Sequence, residues 1–193
     1  MAAGEACGAC RDVPKPWNEI IRLKPYCPAV AGLVCDLKYR RWWELAQPLG
    51  FRLGNLLRAE LGGALARNAV MTAIPMPPLR RWQRGLDHAD LLGRAAAAAA
   101  GNRLVPVLKR WWGATQASRA RSDRLAASAK GWSAYRGAET RVAGTHVIIV
   151  DDVFTTGRTL ELATRFLLDL GARRVTVAVI AVADPDRDRQ ESR

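Results

Sequence analysis

No run of about 18 apolar residues occurs in this 193-residue chain, so nothing in it reads as a membrane-spanning helix. The start, MAAGEACGACRDVPKP, lacks the charged head and apolar stretch of a signal peptide, and a cytoplasmic location is the expectation that follows. Cysteine is absent after residue 35; the four stand at positions 7, 10, 27 and 35. Only Cys7 and Cys10 have the CxxC spacing that brings two thiolates to one metal, and neither His88 nor His146 lies near them in sequence. A structural zinc site takes four ligands, so zinc at Cys7 and Cys10 would rest on an incomplete set, and Cys27 and Cys35 read as buried thiols.

Acidic residues are scarce as well. Eighteen Asp and Glu face 30 Lys and Arg, for a formal net charge of +12. That balance favours a polyanionic partner: nucleic acid, a membrane surface or a multiply phosphorylated small molecule, among which charge alone does not choose. The GxxxxGK[ST] loop of the P-loop NTPases occurs nowhere, which excludes that class.

What is present is enough apolar sequence, 49%, for one main domain with a small appendage. Residues 18–26 have strand character, and 28–39 place Val30, Leu33, Val34 and Leu37 at helical spacing. A longer helix is expected from Leu45 to Ala66, with Pro48 in its first turn. VMTAI (70–74), a proline-rich turn at 75–85, a helix from Asp87 to Ala100 and a second strand, LVPVL (104–108), form a βαβ unit and hence a parallel sheet. Asp87 is the candidate N-cap and Gly101 the candidate stop; the alanines at 95–100 read as helical scaffold. Residues 109–145 are polar and basic, expected to form a mobile loop with a hairpin. HVIIV (146–150) reads as a central strand, 159–170 as an amphipathic helix closed by Gly171, and 175–183 as another buried strand. A frayed charged tail follows.

The segment VIIVDDVFTTGRT (147–159) carries the chemistry. In a parallel sheet, ligands sit beyond the carboxyl ends of strands, where loops lead into helices. Thr155, Thr156, Gly157, Arg158 and Thr159 supply amides at a helix N-terminus, hydroxyls, and a glycine that lets backbone approach closely, all suited to a phosphate dianion. Asp151 and Asp152 would repel phosphate on contact, so they serve ribose hydroxyls or a hydrated magnesium ion. A sugar 5-phosphate satisfies both halves. The competing reading takes one aspartate as an N-cap and the threonines as a turn.

This segment closely resembles the phosphoribosyl pyrophosphate signature of type I phosphoribosyltransferases. DLKYRRWWELAQPLG (36–50) and IPMPPLRRWQRGLDHADLLG (74–93) look like the LKY...PLG and VPVP...R..RGFNQA patterns of the ComF family, competence-associated phosphoribosyltransferase-like proteins, over most of residues 7–183. The resemblance implies an α/β fold with an open, mostly parallel sheet of the type I kind and a small N-terminal extension. It divides the chain into a zinc-knuckle remnant (1–16), a phosphoribosyltransferase-like domain (17–184) and a tail (185–193). It also implies that Asp151 and Asp152 hold ribose hydroxyls, residues 155–159 the 5-phosphate, and magnesium the leaving pyrophosphate. Arg80, Arg81 and Arg84, with Gln116 and Arg124 of the basic loop, are the candidates to meet pyrophosphate; a solvated arginine cluster is the alternative.

The sequence departs from the family at three places. CGACRDVPKPW resembles the second of the family's two CxxC pairs, while the first is missing, so either the chain starts at a late methionine or the knuckle has been lost. RGLDHA (84–89) stands for RGFNQA, and the loop echoes the family pattern only at Gln116 and Arg124. Binding of phosphoribosyl pyrophosphate is therefore expected more firmly than transfer to an acceptor, which no residue set identifies. The second class of function is a non-catalytic DNA-uptake protein. RRWW (40–43), RRWQR (80–84) and KRWW (109–112) put basic residues directly before indoles, as single-stranded nucleic acid binding would use. The same indoles packed at a domain or homodimer seam are the plainer account.

Overall fold

The computed structural model describes residues 15–25, 27–40, 42–110 and 131–183, with the side chains of Lys38, Tyr39 and Arg84 outside that set. Its centre is a four-stranded, wholly parallel sheet of order β1-β6-β5-β2, where β1 is Glu19–Pro25, β2 Val70–Ala73, β5 His146–Phe154 and β6 Arg174–Val182. The runs VIIV and VTVAVIAV are apolar without alternation because both faces of these strands are covered. Ile148, Val150, Ala178 and Ile180 pack into one core, and Val147, Ile149, Val175, Val177 and Val179 into the other.

The first core lies under helices α1 (Pro28–Tyr39), α2 (Ala46–Leu61) and α5 (His88–Ala99). The second lies under α7 (Arg158–Asp169) and the short α6 (Ala138–Val142), beside an antiparallel ribbon of β3 (Leu108–Arg110) and β4 (Trp132–Ala134). α2 and α5 touch almost backbone to backbone: a Cβ on Gly50 would lie 2.6 Å from Ala95 Cβ, and one on Gly54 2.7 Å from Ala99 Cβ. The alanine run is therefore the flat partner of a glycine-bearing helix, as scaffold.

Several expectations need correction. The helix of 45–66 breaks at Gly62, whose φ of +80° no ordinary side chain favours, and resumes as α3 (Gly63–Asn68). LVPVL is not a full strand: Leu104 makes one parallel bridge to Met71, and Pro106, with no N–H to give, follows before the chain turns into the ribbon. The proline-rich turn contains a helix, α4 (Pro78–Arg84), because Pro78 at its first position needs no donor and Gly85, at φ +82°, ends it. Cys27 and Cys35 are exposed rather than buried. They stand at the start of α1 and two turns along it, about 12 Å apart at 1.5 Å per residue, too far to share one metal ion. Leu33 likewise faces outward, 37% exposed, while Val30, Val34 and Leu37 form the buried stripe.

Candidate functional site

The position of the site follows from connectivity. From β5 the chain runs through α7 to β6 on one side; from β2 it runs through α5 to the Leu104 bridge on the other. The two connections diverge between β5 and β2, which is where an open α/β sheet leaves a crevice at its carboxyl edge. The crevice is an open cavity of about 220 Å³ walled by residues 74–77 after β2 and by 151–153 and 155–160 of β5 and the start of α7.

Two helices begin at this cavity and end their first turns differently. On α5, Asp87 caps in the ordinary way: Asp90 N donates to its Oδ1 at 3.3 Å, and the amide of Met76 donates to Oδ2 at 3.0 Å, tying the proline turn to the helix. On α7 the N-cap is Gly157, left-handed at φ +70°, and it has no side chain to cap the first-turn amides; among the described residues no side-chain cap is seen there. Those donors at the positive end of a twelve-residue helix suit an anion. Gly157 is buried, Thr155, Thr156 and Arg158 are exposed, and Thr159 is half-buried.

Asp151 and Asp152 occupy the last part of β5, both half-buried. Each Oδ1 accepts the next amide, from Asp152 N at 2.9 Å and Val153 N at 2.6 Å, which holds the carboxylates against the backbone. Alternation along a strand sends the two side chains to opposite faces of the sheet, yet both border the cavity because β2 stops pairing at Val150. Among the described residues no cluster of three or more His, Cys, Asp or Glu forms a metal cage. A single carboxylate at the cavity, with no such cage among the described residues, would suit a magnesium ion that keeps its waters and takes the rest of its shell from a ligand's phosphates.

The cavity thus brings together Asp151, Asp152, all five cradle residues and Arg80. Arg81 is exposed on α4 and does not line it. The Arg84 side chain, Gln116, Arg124, Cys7 and Cys10 lie outside the described residues. Sequence reasoning placed Arg110 in the KRWW cluster, as a candidate nucleic-acid contact, and did not assign it to the phosphate cavity. Arg110 leaves β3 to line the cavity, with its guanidinium carbon 5.3 Å from the Trp132 ring centroid. Burial and the charge of Arg80 press its pKa down from the ordinary arginine value, and Asp151 pulls it back up. The usable signal was a cation closing a short strand just before a long basic loop.

Residues 97–193 match the family model described as phosphoribosyl transferase domain. Over 183 residues the chain is 31% identical to DNA utilization protein YhgH of Escherichia coli strain K12, covering 89% of this chain and 75% of that protein. The chain belongs to the ComF family of phosphoribosyltransferase-like proteins. It is also similar to Competence protein F of Haemophilus influenzae, at 25% identity over 182 residues, covering 92% and 78% of the two chains. Among solved structures it resembles the allosteric regulatory enzyme of purine biosynthesis at 23% identity and a TM-score of 0.47, over 70% of this chain and 26% of that one. Within the described residues no helix is long and apolar enough to cross a membrane.

Proposed function

We propose that the cavity binds phosphoribosyl pyrophosphate together with magnesium, as the donor site of a phosphoribosyltransferase-like protein of DNA handling. The observation that carries this reading is the meeting, in one cavity, of an acid pair on β5 and the open amides of α7. A bare phosphate would need only the second, and a sugar only the first. The names of the relatives, DNA utilization and competence, support the wider setting.

Cleavage at ribose carbon 1 builds positive charge on the ring, as in glycoside cleavage. In this reading the amides and hydroxyls of 155–159 anchor the 5-phosphate, and Asp151 and Asp152 take the ribose hydroxyls, so that the carboxylates also lie near the developing charge. Arg80 and Arg110 meet the departing diphosphate. Magnesium, when bound, would neutralise that diphosphate. The acceptor is a nucleophile admitted through the open side of the cavity.

Isothermal titration of the full chain with phosphoribosyl pyrophosphate and magnesium tests the reading. Binding is expected, with competition by ribose 5-phosphate and loss in Asp152→Asn. Absence of binding to the wild-type chain would sink it. Consumption of labelled ligand with a panel of bases then decides transfer.

A further inference from the structure

The chain leaving β2 reads Ile74-Pro75-Met76-Pro77-Pro78, and its three prolines have no N–H to give. Ile74 still donates to Val150 O within the sheet, so Met76 carries the one backbone N–H of the turn itself. That N–H goes to Asp87 Oδ2 at 3.0 Å, while Asp87 Oδ1 accepts from Asp90 N at 3.3 Å. The Met76–Asp87 bond spans eleven residues and closes, at its neck, the loop that carries α4. Between Met76 and Arg80 the chain has little freedom: Pro77 and Pro78 fix two φ angles, and Arg81 N donates to Pro77 O at 3.0 Å to close the first turn of α4. Holding Met76 therefore aims Arg80. With the Met76 amide occupied, the turn offers an anion no backbone donor, and among the described residues lining the cavity Arg80 is the cation of this wall.

We propose that Asp87 is a positioning residue: by clasping Met76 it sets the place of Arg80 against the diphosphate of phosphoribosyl pyrophosphate. This rests on the ligand assigned to the cavity above and deepens that reading. Asp87 lines the cavity, yet each of its oxygens already accepts an amide, so its hold on the ligand runs through the turn. The alternative is that it acts on the ligand directly by its charge, and the two roles have opposite signs. A carboxylate repels a diphosphate, so removing a residue that acts by charge tightens the complex. Removing a clasp lets Arg80 drift and weakens it.

The test is isothermal titration of full-chain variants with phosphoribosyl pyrophosphate and magnesium and, separately, with ribose 5-phosphate. Asp87→Ala is expected to weaken phosphoribosyl pyrophosphate about tenfold, the scale of one misplaced charge-assisted contact. Ribose 5-phosphate is expected to bind as it does to wild type, because its phosphate belongs to residues 155–159 on the other wall. Asp87→Asn keeps an acceptor for one of the two amides and is expected to lose less. In an Arg80→Gln chain, Asp87→Ala is expected to add almost nothing, since the group it positions is gone. If Asp87→Ala does not fold, Asp87→Asn measured with and without Arg80→Gln carries the same comparison. Equal losses for the two ligands, losses that add in the double variant, or a tighter complex overturn the proposal. A wild-type chain that ignores phosphoribosyl pyrophosphate removes the ligand and this proposal together; a wild-type chain that binds it, with Asp87 variants that bind alike, removes only the proposal.

Discussion

The ring of Phe154 fills the space where a side chain on Gly157 would stand: a Cβ there would overlap Cζ and lie 2.6 Å from Cε2. Phe154 is in turn held edge-on by Trp17, ring centroids 5.7 Å apart at 84°. The turn between β5 and α7 therefore rests on an aromatic floor that only glycine clears, and the same glycine needs the left-handed φ of +70°. Gly157→Ala combines backbone strain with overpacking, so a loss of about 2–4 kcal/mol is expected by urea unfolding, along with weakened binding of ribose 5-phosphate. Adding Phe154→Leu removes the overlap but leaves the strain. Partial recovery of stability, read as a double-mutant coupling, is the expected outcome.

Gly54 meets a similar wall on the other side of the sheet. In an exposed helix, glycine to alanine would gain about 1 kcal/mol of helix propensity. Here the new methyl would overlap the carbonyl oxygen of Ala96 on α5 and come 2.7 Å from Ala99 Cβ, so backbone must move. Overpacking of that kind costs about 1–3 kcal/mol and outweighs the gain. Gly54→Ala is expected to lower the thermal midpoint while leaving ligand affinity unchanged, since the contact lies at the far end of α5 from the cavity. A raised midpoint would show that α2 and α5 can separate freely.

These two glycines mark what the sequence made legible and what it did not. The local signals were strong: α1 starts at Pro28 and ends at Tyr39 as its periodicity predicts, Asp87 caps α5, and VIIVDDVFTTGRT runs from buried strand into helix. These depend on neighbours along the chain. The aromatic floor under Gly157, the glycine face of α2 and the entry of Arg110 into the cavity depend on residues far apart in sequence, and a local pattern does not encode them. LVPVL failed for a local reason that its apolar pattern masked. Its apolar run suits a strand, but pairing beyond Leu104 requires donors that Pro106 lacks.

A polar chain at the amino end of the sheet, opposite the cavity, makes stability depend on pH. Arg174 Nη2 donates to Glu19 Oε1 at 2.7 Å, and the Thr176 hydroxyl donates to the same oxygen at 2.8 Å. Having spent its proton there, Thr176 accepts from His146 Nε2 at 2.8 Å, which fixes the neutral Nε2–H tautomer and leaves Nδ1 buried without a hydrogen bond among the described residues. Burial and the Arg174 charge lower the His146 pKa against an opposing pull from Glu19. The unfolded chain, with a histidine pKa of about 6.5, then binds the proton more readily than the folded one. The stabilisation is complete above about 6.5 and is lost as pH falls toward the lowered folded value. Urea midpoints should decline over that window. His146→Gln, which keeps a donor for Thr176 but cannot titrate, should flatten the decline; an unaltered profile would assign it to other groups.

Arg110 offers the sharpest separation between the two halves of the donor ligand. It enters the cavity from β3, while the cradle belongs to the turn before α7, and the charges that act on its guanidinium are those of Arg80 and Asp151. Removing its charge should therefore affect a ligand that carries a diphosphate at ribose carbon 1 and spare one that ends in a hydroxyl. A charge-assisted contact of this type contributes about 1.5–3 kcal/mol, so Arg110→Gln is expected to weaken phosphoribosyl pyrophosphate by roughly ten- to a hundredfold. Ribose 5-phosphate should bind Arg110→Gln as it binds wild type. The ratio of the two affinities is the readout, because a general loosening of the cavity would lower both together. Arg110 packs over Trp132, so a loss of fold would also weaken both. Equal losses for the two ligands would place Arg110 in the support of the ribbon rather than on the diphosphate.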